Sequence, residues 1–200
     1  KRGLVMALDV TAIIPSIPPR TEQLRRALDS VWAQSVGVKA ISVNYDLDHR
    51  GAGPTRNEAL DGCTTEWVAF LDDDDRWLPH HIETCSRVAV ETGADVVIPW
   101  FLVVGGSDPF PATRYKEPLV DDFPSFGITC LVRREAIGAL RFAEPAPGAI
   151  HGHEDYTFWL TLAQRGAKMV KIPDITWIWH HWGYGQPGKP GNCSGRPDRW

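Results

Sequence analysis

The sequence predicts an α/β domain in which helices flank both faces of a mostly parallel sheet. Short apolar, β-branched runs alternate with segments of helical periodicity over the first hundred residues. This alternation is typical of a parallel sheet, because neighbouring parallel strands need a crossover connection and a helix supplies it. Such a sheet leaves a crevice at the carboxyl ends of its strands, where ligands bind.

The bulk composition predicts one soluble domain. The 200 residues suffice for one sizeable core, and the hydrophobic share of 43% and charged share of 23% are ordinary. A formal net charge of -4 gives no reason to expect nucleic-acid binding, and no apolar run is long enough to span a membrane. The four cysteines are scattered and no signal peptide is evident, so we expect a cytoplasmic protein.

The order of elements follows from the periodicity. The strands expected in the first half are 10–14, 40–43, 67–71 and 95–100. The helices expected between them are 24–32, 54–60 and 79–92. Residues 101–126 are expected to form a long excursion. The elements expected after it are an apolar run at 128–132, a helix at 154–165 and strands at 168–172 and 175–179.

Four adjacent aspartates, Asp72 to Asp75, directly follow the third predicted strand. Like charges at this spacing repel one another, so the run costs stability unless a cation lies there. A solvated turn in which Asp75 caps the next helix is the simplest structural explanation. Yet the run lies at the mouth of the predicted crevice, and its hard oxygen ligands suit Mg²⁺ or Mn²⁺ bound to a substrate diphosphate. The sequence therefore favours a metal and diphosphate site.

Six segments, in this order along the chain, resemble the family 2 glycosyltransferases, which have the GT-A fold. The segments are 12–16, 24–34, 56–60, 66–79, 131–136 and 154–166. The resemblance implies one GT-A domain that transfers a sugar, with inversion, from a nucleotide sugar to an acceptor hydroxyl. UDP is the expected carrier, and the acceptor could be a glycan, a protein or a small molecule. It also implies a donor-binding half at 10–100 and an acceptor and catalytic half at 101–182. A looser similarity is to bacteriophage-encoded members. The residues 183–200 are rich in Gly and Pro and are expected to form a mobile tail.

The resemblance assigns roles to the acidic run. Family members carry an Asp-x-Asp signature at the end of this strand, which maps onto Asp72, Asp73 and Asp74. It implies that Asp74, together with Asp72, binds the divalent metal. It also implies that Asp72 or Asp73 contacts the donor ribose.

Four other residues are implied to bind the donor nucleotide. Pro15 and Ser16 would border the base, Asp46 is the nearest match to an aspartate that contacts uracil, and Arg56 completes the set. The chain departs from the family here, because residues 44–48 replace the usual Asp-Asp-Gly-Ser pattern. The identity of the base therefore stays open.

Glu154 and Asp155 open the helix predicted over 154–165. Acidic residues are common in a first turn because they complement the helix dipole. A sugar hydroxyl, however, needs a base to take its proton, and a carboxylate can do so. The resemblance assigns that role to Asp155 and a supporting or acceptor-binding role to Glu154. A second metal site, formed by Glu154 with His151 and His153, is an alternative.

His180 and His181 follow the last predicted strand. They could be half-buried structural histidines. The resemblance implies instead that one of them completes the metal shell or meets the diphosphate. Neighbouring strand residues point to opposite faces, so only one would reach the metal. His80 and His81, at the start of the third helix, are expected at the surface.

Two other function classes remain open. A metal-dependent nucleotidyltransferase or phosphohydrolase acting on nucleotide sugars would use the acidic run, but its phosphate loop would have to be the weak match at 51–54. A non-catalytic carbohydrate-binding module would explain the nine tryptophans but not the acidic run. A metal-dependent glycosyltransferase accounts for more of these features than either alternative.

Overall fold

Helices and strands alternate along the chain, as the sequence predicts. The computed structural model describes residues 8–108, 111, 114, 116, 118–120, 123–124, 126–144 and 154–180. The helices are α1 (Thr21–Trp32), α2 (Ala52–Gly62), α3 (His81–Thr92), α4 (Arg134–Ile137) and α5 (Glu154–Gln164), and a 3-10 turn, Pro18–Arg20, precedes α1. The strands are β1 (Val10–Ser16), β2 (Ala40–Tyr45), β3 (Trp67–Phe70), β4 (Arg76–Trp77), β5 (Val96–Val104), β6 (Leu119–Val120), β7 (Phe123–Pro124), β8 (Leu131–Arg133) and β9 (Met169–His180).

Seven strands form one sheet in the order β2-β1-β3-β8-β5-β9-β4. Strands β1, β2, β3, β5 and β9 run in one direction, whereas β8 and β4 pair antiparallel with their neighbours. The sheet is therefore mixed, because the antiparallel β8 lies between β3 and β5. Strands β6 and β7 form a separate two-stranded sheet.

The sheet has an apolar core on each face. Alternate residues of β1 divide between the cores, with Ala12 and Ile14 in one and Ile13 in the other, as the two-residue period of a strand requires. Buried residues of α1 and α3 pack in the first core, and those of α2 and α5 pack in the second. Among the described residues, no helix is long and apolar enough to cross a membrane.

Strand β9 corrects the prediction of two strands at 168–172 and 175–179. Its pairing with β5 shifts register between Ile98 and Trp100, whose partners are Lys171 and Ile175. The extra residues of β9 at this point include Pro173, which has no N–H to donate to a ladder. The proline that suggested a boundary between two strands therefore marks an irregularity within one strand.

The two-residue strand β4 was missed by the sequence analysis, because two residues carry no periodicity. One edge of β4 pairs with β9. On its other side, the Trp77 amide donates to Ser30 Oγ of α1 at 3.1 Å. Gln34, just after α1, donates to the Leu78 carbonyl at 2.8 Å and accepts from the Ile82 amide at 3.0 Å. Side chains of α1 and its C-terminal turn thus hold the segment that follows the acidic run.

The expected surface position of His81 is wrong. Its ring is fully buried, stacks on Trp77 with centroids 4.6 Å apart, and lies with Nδ1 2.8 Å from Thr176 Oγ1. Burial lowers the pKa of His81 to about 3, so the ring is neutral. The position of His81 at the start of a helix had suggested a hydrated side chain. Stacking on Trp77 compensates for the hydration that the buried ring loses.

Helix α2 anchors the second half of the chain. The Asn57 side chain donates to the Phe142 carbonyl at 2.9 Å and accepts from the Phe142 amide at 2.8 Å. The Phe142 ring stacks on Phe158 of α5, with centroids 4.0 Å apart. A Cβ at Gly53 would lie 3.1 Å from both Glu154 Cγ and Phe142 Cβ. The absence of a side chain at Gly53 therefore lets α5 and the Phe142 segment approach α2.

We expect Gly53→Ala to destabilise the protein by about 1–2 kcal/mol, because the added methyl group overpacks this contact. Gly62→Ala, in the same helix, is the matched control, since its Cβ would meet nothing within 4 Å. The control should be neutral or slightly stabilising through better helix propensity. Urea unfolding of both variants measures the difference; equal stabilities would contradict the close approach.

Candidate active site

The four aspartates form a tight turn at the end of β3, in which the Asp75 amide donates to the Asp72 carbonyl at 3.1 Å. Asp73, Asp74 and Asp75 are buried, and the Asp72 side chain retains 35% of its exposure. The solvated acidic turn considered from sequence is therefore wrong. Three carboxylates withdrawn from water need compensating donors or cations.

Two buried arginines from distant parts of the chain supply positive charge to the run. Arg20, in the turn before α1, places Nη1 2.7 Å from Asp73 Oδ1 and 3.2 Å from Asp74 Oδ2. Arg56, in α2, places Nη2 2.5 Å from Asp72 Oδ1 and Nη1 3.2 Å from Glu154 Oε1. The second arginine thus joins the acidic run to the first residue of α5.

Asp73 has a donor on each carboxylate oxygen. Ser16 Oγ donates to Oδ2 at 2.8 Å, and Arg20 donates to Oδ1. These contacts and its deep burial leave Asp73 the least accessible of the four. The ribose contact of Asp72 or Asp73 stays a prediction.

The other three aspartates could hold a divalent ion. Asp72, Asp74 and Asp75 can each offer one carboxylate oxygen, all within 4.8 Å of one another. Three hard oxygens at this spacing fit the preference of Mg²⁺ and Mn²⁺ for carboxylate ligands. Asp75 was not among the residues predicted to bind metal, although its place in the same acidic run was the available signal.

The capping role considered for Asp75 is also wrong. Helix α3 begins at His81, and its N-cap residue, His80, makes no side-chain cap. Asp75 Oδ1 instead accepts the His180 backbone amide at 2.8 Å. The end of β9 is thereby fixed against the acidic run.

The pKa values of the three buried aspartates are all raised, because burial and mutual repulsion disfavour their ionised forms. Burial raises the pKa of Asp73, and it raises that of Asp74 to about 7 despite the opposing charge of Arg20. Burial and the neighbouring carboxylates raise the pKa of Asp75 well above its ordinary value. The two arginines therefore compensate the run incompletely, and a cation bound beside the carboxylates would reduce the remaining repulsion.

His180 lies beside Asp75 at the end of β9, outside the three-carboxylate group. Its Nδ1 is 3.9 Å from Asp75 Oδ1, and its Nε2 is 3.4 Å from Arg76 Nη2. Burial, followed by the charges of Arg76 and Arg26, lowers the pKa of His180, so the ring is neutral near pH 7. A neutral ring has one lone pair, and since a guanidinium can only donate, the Arg76 contact places that lone pair on Nε2. His181 lies outside the described residues.

The residues predicted to border the nucleotide lie at the ends of β1 and β2. Pro15 pairs with Asn44 in the sheet. Asp46 accepts the Arg50 amide at 2.8 Å on Oδ1 and the Gly51 amide at 2.7 Å on Oδ2. Both oxygens of Asp46 therefore stabilise the loop that leads into α2, and its contact with a base stays a prediction.

Glu154 and Asp155 open α5, as predicted. Asp155 Oδ1 accepts the Tyr156 amide at 2.8 Å. Burial raises the pKa of Asp155, as do the charges of Glu154 and, more weakly, Asp72, while Arg56 opposes them. A raised pKa makes the carboxylate a stronger proton acceptor. The influence of Asp72 means that Asp155 lies within electrostatic range of the acidic run. His151 and His153, the alternative second metal site, lie outside the described residues.

Arg20, besides Asp75, is a site residue that the sequence analysis missed. Its aspartate partners lie 53 and 54 positions further along the chain. In the sequence Arg20 follows two prolines and precedes a helix, a position at which a solvent-exposed side chain is expected. No local pattern marks it as the cation of a buried cluster.

A family model described as "Glycosyl transferase family 2" matches residues 45–141, just under half of the chain. This segment belongs to glycosyltransferase family 2. The family 2 segment contains Asp46, Arg56 and the whole acidic run, whereas Arg20 and α5 lie outside the matched residues. No curated protein matches the chain in sequence.

Solved glycosyltransferase structures share the fold. TarS residues 1–349 from S. aureus, in complex with UDP-GlcNAc, match with a TM-score of 0.71 and 18% identity, over 86% of this chain and 58% of that one. The mannosyltransferase PcManGT from Pyrobaculum calidifontis, in complex with GDP-Man and Mn²⁺, matches with a TM-score of 0.64 and 16% identity, over 92% of this chain and 62% of that one. The chain therefore has the predicted GT-A fold and spans about three fifths of the length of these structures.

We expect Asp74→Asn to raise the thermal stability of the metal-free protein at about pH 8. Asp74 has a raised pKa, so its ionised form costs folding energy as the pH rises from about 4 through about 7. Removing the charge should gain about 1–2 kcal/mol at pH 8, and the gain should shrink as the pH falls and vanish below about pH 3, where Asp74 is protonated in both folded and unfolded states. Thermal unfolding with a chelator measures this. Asp29→Asn, an exposed change in α1, should show no such pH-dependent gain; the same gain there would refute the explanation.

Proposed function

We propose that this protein transfers a sugar from a nucleoside diphosphate sugar to an acceptor hydroxyl, with inversion at the anomeric carbon and with a divalent metal. The observation that carries the proposal is the ionic connection Asp72–Arg56–Glu154. It joins an acidic cluster suited to a metal–diphosphate to the start of the helix that carries Asp155. The proposed leaving-group site and the proposed base would thereby be held near one another, as a single displacement requires.

The metal-binding residues would be Asp72, Asp74 and Asp75, with His180 beside them. A divalent ion bound there would neutralise negative charge that develops on the leaving diphosphate. Asp73 would act indirectly, because it holds Ser16 and Arg20 against the cluster. Mn²⁺ is our first choice of ion, supported by its presence in the PcManGT complex.

The base would be Asp155. As the acceptor oxygen bonds to the anomeric carbon, Asp155 takes the hydroxyl proton. The bond between that carbon and the diphosphate oxygen breaks, and its electron pair leaves with the nucleoside diphosphate. Attack opposite to the leaving group reverses the anomeric configuration. Glu154, held by Arg56, would support the base or contact the acceptor.

The donor would be a UDP sugar, which the UDP-GlcNAc complex of TarS supports, although PcManGT was solved with GDP-Man. Pro15, Ser16 and Asp46 would surround the nucleoside. Residues 10–100 would bind the donor, and 101–182 would bind the acceptor. The free thiols of Cys63, Cys85 and Cys130 support a reducing compartment such as the cytoplasm.

A donor screen tests the proposal and separates it from the other function classes. We expect nucleoside diphosphate to be released from a UDP sugar in the presence of Mn²⁺, faster with an acceptor glycan than without one. A chelator should abolish the release. Equal release of nucleoside diphosphate with and without every acceptor would indicate a hydrolase. Release of a nucleoside monophosphate would indicate cleavage within the diphosphate. Sugar binding without any turnover would indicate a binding module.

We expect Asp155→Asn to lower kcat about 10²–10⁴-fold, because the amide cannot take the proton. The dissociation constant of the donor should change little, because the base faces the acceptor. Steady-state kinetics beside donor titration calorimetry measure both quantities. Asp9→Asn is the matched control, since Asp9 precedes β1 at the opposite end of the sheet and pairs with Lys39. Near-normal turnover of Asp155→Asn would remove this residue from the mechanism.

The product should have the anomeric configuration opposite to that of the donor. A single displacement leaves no glycosyl–enzyme intermediate, so inversion is the expected stereochemistry. The anomeric coupling constant of the product, measured by NMR immediately after transfer, decides the matter. A retained configuration would exclude the single-displacement mechanism, whatever the kinetics of Asp155→Asn.

A further inference from the structure

Arg20 is a buried cation already placed where a divalent ion is proposed to bind. Only 4% of its surface is exposed, and the 3-10 turn Pro18–Arg20 holds its backbone, with the Arg20 amide donating to the Ile17 carbonyl at 3.0 Å. A guanidinium stays protonated in a protein at any ordinary pH. Arg20 is therefore a permanent charge that no change of pH can remove from the cluster.

A single nitrogen of Arg20 is shared by two carboxylates with different roles. Nη1 lies 2.7 Å from Asp73, whose other oxygen is taken by Ser16, and 3.2 Å from Asp74. Asp74 is also one of the three residues whose oxygens come within 4.8 Å of one another. The contact with Asp73 is thus structural, whereas the contact with Asp74 uses an oxygen from a carboxylate of the proposed metal site.

A metal at Asp74 and the guanidinium of Arg20 would lie close together with like charges and little water between them. Repulsion between such charges is much stronger in a buried site than in bulk water. Arg56 is placed differently, because its ionic contacts within the described residues are with Asp72 and Glu154 and not with Asp74 or Asp75. Of the two arginines, Arg20 is the one positioned to oppose an ion at Asp74.

We propose that Arg20 is a positioning residue that serves as the internal counter-ion of the metal-free cluster and competes with the divalent ion for Asp74. The inference rests on the metal site of the proposed function. It explains how the carboxylates of Asp73 and Asp74 are tolerated in a buried place without an ion. It also implies that the metal binds weakly alone and more tightly together with a diphosphate, whose negative charge offsets that of Arg20.

Arg20→Gln tests this with Mn²⁺ alone as the probe, in the full chain at about pH 8. The metal-free variant should unfold at a lower temperature than wild type, because the carboxylates lose their counter-ion. Its affinity for Mn²⁺, measured by calorimetry, should rise by roughly tenfold, because Asp74 is released and a like charge is removed. Opposite signs for stability and metal affinity distinguish competition from a merely structural role, which would lower both.

Arg25→Gln is the matched control. It removes the same charge from α1, five positions further along, where the side chain is exposed and pairs with Glu22 and Asp29. It should leave Mn²⁺ affinity unchanged. Arg20→Lys keeps the charge and should bind Mn²⁺ much more weakly than Arg20→Gln does.

The outcomes separate the inference from the proposed function. If wild type and Arg25→Gln bind Mn²⁺ but Arg20→Gln binds it equally or more weakly, the competition is refuted and the metal site stands. If none of the proteins binds Mn²⁺, with or without a nucleoside diphosphate, the metal site itself is refuted and the inference with it. Should Arg20→Gln fail to fold, Arg20→Gln/Asp73→Asn is compared with Asp73→Asn, and tighter Mn²⁺ binding by the double variant is the expected result.

Discussion

Mutual repulsion among four consecutive carboxylates is the constraint around which this structure is organised. The run follows a strand that is buried on both faces, so three of the aspartates are drawn away from water with it. Distant parts of the chain then meet at the run: the turn before α1 through Arg20, helix α2 through Arg56, and the end of β9 through the His180 amide. Each contributes a cation or a hydrogen-bond donor, and none is close to the run in sequence.

The same constraint links the two halves of the chain. Arg56 shares its charge between Asp72 and Glu154, and the next residue, Asn57, satisfies both backbone groups of Phe142. Two neighbouring side chains of α2 therefore hold the acidic run, the Phe142 segment and the start of α5 in one arrangement.

The sequence predicted the features that depend on local order. Apolar runs gave four strands of the sheet, and apolar spacing gave α1, α2, α3 and α5, with ends displaced by a few residues. The acidic run was recognisable because charge repulsion acts between neighbours in the chain. The family resemblance, matched by the family model over 45–141, supplied the fold name. The roles that it implies for Asp74 and Asp155 stay predictions.

Features that depend on distant partners were not predictable from local patterns. The insertion of the antiparallel β8 between β3 and β5 is set by how the whole sheet packs. The burial of His81 depends on Trp77 and Thr176, and that of Arg20 depends on carboxylates more than fifty positions away. A proline such as Pro173 indicates an interruption of strand pairing, but the sequence does not say whether the same strand continues after it. Only the pairing with β5 shows that β9 continues.

The hydrogen bond from the Trp77 amide to Ser30 has a consequence for association between molecules. An edge strand presents unpaired backbone amides and carbonyls to which a strand of another molecule can add. Strand β4 is the edge on the β9 side of the sheet, and its outward amide is already taken by a side chain of α1. The Gln34 contacts with Leu78 and Ile82 continue this cover beyond the strand. Helix α1 therefore blocks growth of the sheet at β4 and protects this edge against strand-exchange aggregation.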